Sequence, residues 1–140
     1  MKILLDTNIV LDLLLEREPY FKSAKEIFIL AETKKLKAYL SASSITTIHY
    51  LTTKALNKNE ADKIIEMLLK IFLVTPLDKA VFTEAIANNG QDFEDSVIYS
   101  SAFNTNIDYI ITRDKKGFKN SKVKTIEPNS FLAFYNEIII

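Results

Sequence analysis

Short apolar runs alternate with amphipathic helical stretches along almost all of the 140 residues, and this alternation restricts the fold more than any other feature. Lys2-Ile3-Leu4-Leu5 has the character of a buried strand, stopped by the polar triplet Asp6-Thr7-Asn8. Ile9 to Glu16 reads as a short buried helix, and Pro19 opens the next segment at an early helical position. Between Tyr20 and Lys35, the residues Phe21, Ala24, Ile27, Phe28 and Ala31 recur at helical spacing, with Lys22, Lys25, Glu26 and Glu32 opposite. Lys37–Ser41 is a second strand, after which Ser43 or Ser44 caps a helix carrying Ile45, Ile48, Leu51 and Leu56. Asn59 opens an amphipathic helix through Ile64, Ile65, Leu68 and Leu69. Phe72–Thr75 is a strand ended by Pro76, and Asp78 caps a helix running to about Asn88, where Asn89-Gly90 breaks it. Asp92 starts a helix through Val97, Ile98 and Ala102. Tyr109–Thr112 is the clearest strand of the chain, a β-branched run between polar residues. Val123–Ile126 follows as a last strand, with Pro128 leading into a final helix. Such alternation calls for right-handed crossovers and a parallel sheet covered on both faces. The fold class is α/β, in three α/β/α layers.

The length suits a single domain over residues 1–140. Eighteen basic and eighteen acidic residues give a net charge of +0, which argues against a polybasic binder but leaves room for a local basic stripe. The chain has no Cys, so disulfides, thiol nucleophiles, zinc–cysteine sites and iron–sulfur clusters are excluded. The single His, His49, makes any serine–histidine triad depend on it alone. Apolar runs such as Leu13–Leu15 and Ile138–Ile140 are far short of a membrane span, and Lys2–Leu5 is too short for a signal peptide. A soluble, cytoplasmic protein without membrane contact is expected. Its chemistry must come from carboxylates, hydroxyls, lysines or a hard metal ion.

Carboxylates stand where a parallel sheet gathers functional groups, beyond the carboxyl ends of its strands. Asp6 ends the first strand, Asp114 lies just past Thr112, and Asp92, Glu94 and Asp95 occupy the first turn of the helix leading into that strand. Like charges so gathered repel one another and call for a cation. A set without His or Cys suits Mg²⁺ or Mn²⁺, and the matching chemistry is phosphodiester hydrolysis. Each acid also has a plainer use. Asp92 and Asp95 fit a capping box, and Asp114 fits a turn. Asp12, inside an apolar helix, is expected to face solvent or a cap. His49 reads as a packed or partly exposed histidine, while Tyr50 and Tyr99 read as core aromatics.

Ile3-Leu4-Leu5-Asp6-Thr7-Asn8-Ile9-Val10-Leu11-Asp12 resembles the opening of PIN domains, metal-dependent ribonucleases that include VapC-like toxins. Phe93-Glu94-Asp95-Ser96-Val97-Ile98-Tyr99 and Tyr109-Ile110-Ile111-Thr112-Arg113-Asp114-Lys115-Lys116-Gly117-Phe118 resemble that family's third and fourth motifs. The resemblance implies about five parallel strands and an acidic pocket holding Mg²⁺ or Mn²⁺. Asp6 and Asp95 would be the main metal ligands, Asp114 would order water or a second ion, and Asn8 and Thr112 would support the pocket. One position departs from the pattern. Counting six residues from Ser41, the family's usual Glu is Thr47 here, as in a subgroup of PIN domains; a carboxylate is missing unless Glu94 or Asp92 substitutes.

The functional expectation is a metal-dependent endoribonuclease, the toxin of a toxin–antitoxin pair. Arg113, Lys115, Lys116 and Lys119 would contact the RNA. A small antitoxin is the expected partner. Relatives of this type form two-fold dimers, so a homodimer using part of the apolar surface around Leu13, Leu14 and Phe28 is expected. Two alternatives compete. One is a catalytically weak PIN scaffold that binds RNA or protein. The other is a haloacid-dehalogenase-type phosphatase, which Asp6-Thr7-Asn8 resembles, although Asn8 replaces that family's second Asp.

Overall fold

A computed structural model describes residues 1–138. Its elements are β1 (Lys2–Leu5), α1 (Thr7–Leu14), α2 (Phe21–Glu32), β2 (Lys37–Ser41), α3 (Ala42–Ala55), α4 (Lys58–Ile71), β3 (Leu73–Thr75), α5 (Lys79–Ala87), α6 (Phe93–Asn104), β4 (Tyr109–Ile111), β5 (Lys124–Ile126) and α7 (Pro128–Ile138). The five strands form one parallel sheet in the order β3-β2-β1-β4-β5. Side chains of a strand alternate between faces, and the core divides accordingly. Ile3 and Leu5 of β1, Ala38 and Leu40 of β2, and Ile111 of β4 face the larger core with Ile9, Ile27, Phe28, Ile48 and Phe131. Leu4, Tyr39 and Ile110 face the second core, where Ile98, Tyr99 and Ala102 of α6 meet Phe118 and Val123. The expected three-layer α/β/α architecture is present. The run Ile138–Ile140 extends beyond the described residues; within them, no helix is long and apolar enough to cross a membrane.

Several local expectations move by a few residues. The cap of α3 is Ser41, whose Oγ accepts from the Ser43 N–H at 3.3 Å, rather than Ser43 or Ser44. The cap of α4 is Asn57, with Oδ1 accepting from Glu60 N–H at 2.9 Å, rather than Asn59. Asx and Ser side chains cap two or three residues ahead of the amide they serve, so the boundary lies upstream of the first periodic apolar residue. At the break after α5, Asn89 takes the left-handed conformation (φ 52) and Gly90 does not.

One larger correction concerns α1. Asp12 faces neither solvent nor a cap: it is fully buried, and Arg113 clamps it with Nε donating to Oδ2 at 2.8 Å and Nη2 to Oδ1 at 3.0 Å. The Arg113 guanidinium also lies over the Tyr20 ring, 3.7 Å from its centre. The apolar surface of the N-terminal helices is covered only in part: Leu13, Leu14 and Leu15 are half-buried against the larger core, Phe28 is buried edge-on to Phe72 at 5.6 Å, and Ile29 stays exposed. Further exposed apolar side chains lie on α5 and α6, where Phe82 stacks on Phe93 at 6.4 Å and Ile86 is 70% exposed.

Candidate active site

β1 and β4 lie side by side, and the chain fills the sheet outward from them in opposite directions. Open parallel sheets bind ligands at such a switch point, beyond the carboxyl ends of the strands. Asp6 emerges there directly from β1 and is almost fully buried. Its backbone N–H continues the β1–β4 ladder to the Ile111 carbonyl at 3.0 Å. Thr112, also buried, donates its hydroxyl to Asp6 Oδ2 at 2.8 Å and accepts from the Asp114 N–H at 3.0 Å. One hydroxyl thus ties the end of β1 to the loop after β4.

Helix α6 supplies the remaining acids. Asp92 is its cap, accepting the Asp95 N–H at 3.0 Å, which is the structural use anticipated for it. That bond fixes the Asp95 backbone and leaves its carboxylate free. Glu94 is held from across the cleft by Thr47 of α3, whose Oγ1 donates to Oε1 at 3.0 Å. Asp6, Asn8, Thr47, Asp92, Glu94, Asp95 and Asp114 line a single cavity of about 230 Å³. Its neighbours in the chain close it structurally: Thr7 and Ser44 share a buried hydroxyl–hydroxyl bond of 2.7 Å.

The electrostatics of the cavity follow from this crowding. Burial pushes the Asp6 carboxyl up to about 6, and the like charges of Asp114 and Glu94 add to this, against hydrogen bonds from Thr112 and the Thr7 N–H. Burial, then repulsion from Asp6, Asp92, Asp114 and Glu94, pushes Asp95 up to about 7. Among the described residues no basic side chain lines this cavity. An all-oxygen, uncompensated donor set fits a hard divalent cation. Among the described residues no three acidic side chains, as they stand, form a ready cage for one ion.

One contributor lacks a functional side chain. Gly117 approaches the acids so closely that a Cβ there would collide with Asp95 Oδ2 and lie 2.5 Å from Asp114 Oδ2, while its own N–H donates to Asp114 Oδ1 at 2.8 Å. A Gly three residues beyond an acid at the end of a strand was the only sequence signal for it. The basic residues separate into two groups. Arg113 is committed to Asp12, so the expectation of an RNA contact there gives way to a structural clamp. Lys115 pairs with Glu127 at 3.5 Å, whereas Lys116 and Lys119 carry no ion pair among the described residues. His49 lies outside the cavity, 2.7 Å from Asp62 of α4. A wider cavity of about 450 Å³ opens at the amino ends of β4 and β5, and its acid, Asp108, already takes the Lys2 N–H at 2.8 Å.

Residues 2–116 match the family described as PIN domain. The chain belongs to the PIN domain family. A curated relative, Ribonuclease VapC1 of Aquifex aeolicus, is 25% identical over 142 residues, covering 98% of this chain and 97% of that protein. The PIN fold here is similar to that in VapBC-1 from nontypeable Haemophilus influenzae, with a TM-score of 0.71, 18% identity, and 92% and 99% of the two chains covered. It is also similar to VapBC2 from Rickettsia felis bound to a promoter DNA fragment, with a TM-score of 0.69, 17% identity, and 91% and 98% covered. Membership in the PIN family sets aside the phosphatase reading of Asp6-Thr7-Asn8.

Proposed function

We propose that this PIN domain is a metal-dependent endoribonuclease and the toxin of a toxin–antitoxin pair. The observation that carries the reading is the convergence of Asp6, Asp95 and Asp114, uncompensated by any cation, at the switch point between β1 and β4. The name of the Aquifex relative, a ribonuclease, supports the activity, and the VapBC complexes support a small antitoxin as partner. Mg²⁺ or Mn²⁺ bound there would activate water and offset the charge on a phosphodiester. Asp6 and Asp95 are the main ligands in this reading, and Asp114 orders water or a second ion. The Thr112 hydroxyl orients Asp6 toward the cavity. Asn8, whose Oδ1 is held by Arg17 at 3.3 Å, keeps its NH₂ free as a donor at the cavity lip. Glu94, positioned by Thr47, makes good the carboxylate that α3 lacks. Lys116 and Lys119 supply the basic charge for RNA. A two-fold homodimer and a cytoplasmic site of action belong to the same reading, with the half-buried and exposed apolar residues of the N-terminal helices, Ile29 among them, joined by the exposed Phe82, Ile86 and Phe93 as apolar surface open to a second copy.

The absence of a Glu at position 47 favours one competing reading, a PIN scaffold that binds RNA or protein without cutting. Cleavage of a fluorophore–quencher RNA with Mn²⁺, with Mg²⁺ and with EDTA separates the two. The nuclease reading expects metal-dependent cleavage that Asp6→Asn and Asp95→Asn each abolish. Cleavage undiminished in both variants removes the metal assignment, and no cleavage with either metal favours the scaffold.

A further inference from the structure

A second cavity, of about 250 Å³, lies on the other side of Gly117 from the acids. Its lining is opposite in character: Lys116 and Lys119 stand with the side chains of Asn89, Gln91 and Asn120, and no carboxylate takes part. Gly117 is the wall between the two, since a side chain there would run into Asp95 and Asp114. An anionic cleft therefore passes into a cationic, amide-rich one across the thickness of a single backbone.

The cavity is built rather than incidental. Asn120 Nδ2 donates to the Asn88 carbonyl at 3.0 Å and the Asn89 carbonyl at 3.4 Å, joining the loop after β4 to the loop before α6. Gly90 lies so close to α6 that a Cβ would strike Ser96 Oγ and lie 2.7 Å from Tyr99 Oη, so this loop is seated against buried hydroxyls that bond each other at 3.0 Å. With its amide nitrogen committed to the loop, Asn120 keeps its Oδ1 as an acceptor. Asn89 and Gln91, both exposed, bring free donors and acceptors to the same rim. Amides offering a donor and an acceptor side by side can pair with a base edge, and free ammonium groups meet phosphate as point charges. At about 250 Å³ the space lies below the roughly 300–1,000 Å³ of sites that enclose a drug-sized ligand, and suits one nucleotide of a longer strand.

We infer that this cavity holds the nucleotide next to the scissile phosphate, with Lys116 and Lys119 on its backbone phosphate and the Asn89, Gln91 and Asn120 amides on its base. The inference rests on the ribonuclease reading and adds to it a place where single-stranded RNA is gripped and its sequence is sampled.

The test is fluorescence polarisation of labelled 12-nucleotide homopolymers (uridylate, adenylate, cytidylate), with Ca²⁺ in place of the catalytic metal and KCl varied. Losing the one neutralised phosphate in a K116Q/K119Q variant lowers the slope of log K against log [KCl] by about 0.7, the contribution of one phosphate in single strands. The same charge change at K34Q/K35Q leaves the slope unaltered. Gln91→Ala flattens the preference among homopolymers and keeps the slope. The Mn²⁺-induced rise in melting temperature persists in the double variant, which shows an intact acidic site. An unchanged slope in K116Q/K119Q, or an equal fall in K34Q/K35Q, overturns the cavity assignment while wild-type RNA cleavage stands. A wild type that neither binds nor cuts RNA with any metal removes the ribonuclease reading itself, and the cavity assignment with it.

Discussion

Gly117→Ala isolates the acidic site from the stability of the fold. The residue is not in the left-handed region, so alanine meets no backbone strain there. Such Gly→Ala changes shift stability by about 1 kcal/mol or less, usually upward. The new methyl, however, would stand 2.5 Å from Asp114 Oδ2 and still closer to Asp95 Oδ2, where ordinary contact begins near 3.4 Å. The oxygens must withdraw by about 0.9 Å, several times the roughly 0.2 Å within which metal–ligand distances hold. Asp114 cannot do so without losing the Gly117 N–H bond of 2.8 Å. Mn²⁺ affinity should therefore fall at least tenfold. At a concentration of about 100 times the wild-type Kd, linkage stabilises the protein by about 2.7 kcal/mol, and a tenfold loss leaves about 1.4. Melting curves with and without Mn²⁺ read both quantities. The expected result is a metal-free melting temperature within a few degrees of wild type and a metal-induced rise cut by half or more. An undiminished rise in Gly117→Ala would refute the placement of Asp95 and Asp114 around one ion.

Four further outcomes are expected. Because burial and mutual repulsion push the Asp6 and Asp95 carboxyls up to about 6 and about 7, Mn²⁺ must displace protons from this pair below about pH 7 and almost none above pH 8.5. Calorimetry in buffers of different ionisation enthalpy counts these protons. Both carboxyls are raised above their unfolded values, so the folded state binds more protons, and metal-free stability should decline from pH 4 to about pH 7 and then level off. Thr47→Val, which frees Glu94, should weaken Mn²⁺ binding about fivefold, the worth of one hydrogen bond of about 1 kcal/mol, while Thr47→Ser retains it and Thr47→Glu tightens it. Arg113→Met leaves the buried Asp12 carboxylate with only Arg17 at 3.8 Å and should cost about 3–5 kcal/mol in urea denaturation; D12L/R113M should recover much of the loss.

What was legible in the sequence and what was not divides along one physical line. Asp6 stands out because it directly follows a strand, Asp114 because it lies just past another and Asp95 because it sits in the first turn of a helix, and a parallel sheet brings strand ends together whatever the remaining details. The alternation of short apolar runs with helical stretches likewise carried the three-layer architecture. Asp12 was not legible, because its partner Arg113 lies 101 residues away and only the β1–β4 pairing brings them together. How far α1 and α2 are covered was not legible for the same reason: α3 and α7, which pack against them, are distant in sequence. The hold of Thr47 on Glu94 needed a rotamer, and the second cavity needed two loops whose contact is invisible in their composition.

The central place of β1 has a consequence for how the molecule comes into being. The strand made first is completed on one side by β2, but on the other only by β4, and Asp6 reaches Thr112 across 106 residues. At about 5–20 residues per second of synthesis, some 5–20 s separate the appearance of Asp6 from that of the residues that complete its cavity. During that interval β1 is a bare sheet edge and its carboxylate has no counterpart. A nascent chain released early, or cut within α6, therefore carries the acids of the first half with no site to put them in. The cavity is therefore completed late in synthesis and as a whole.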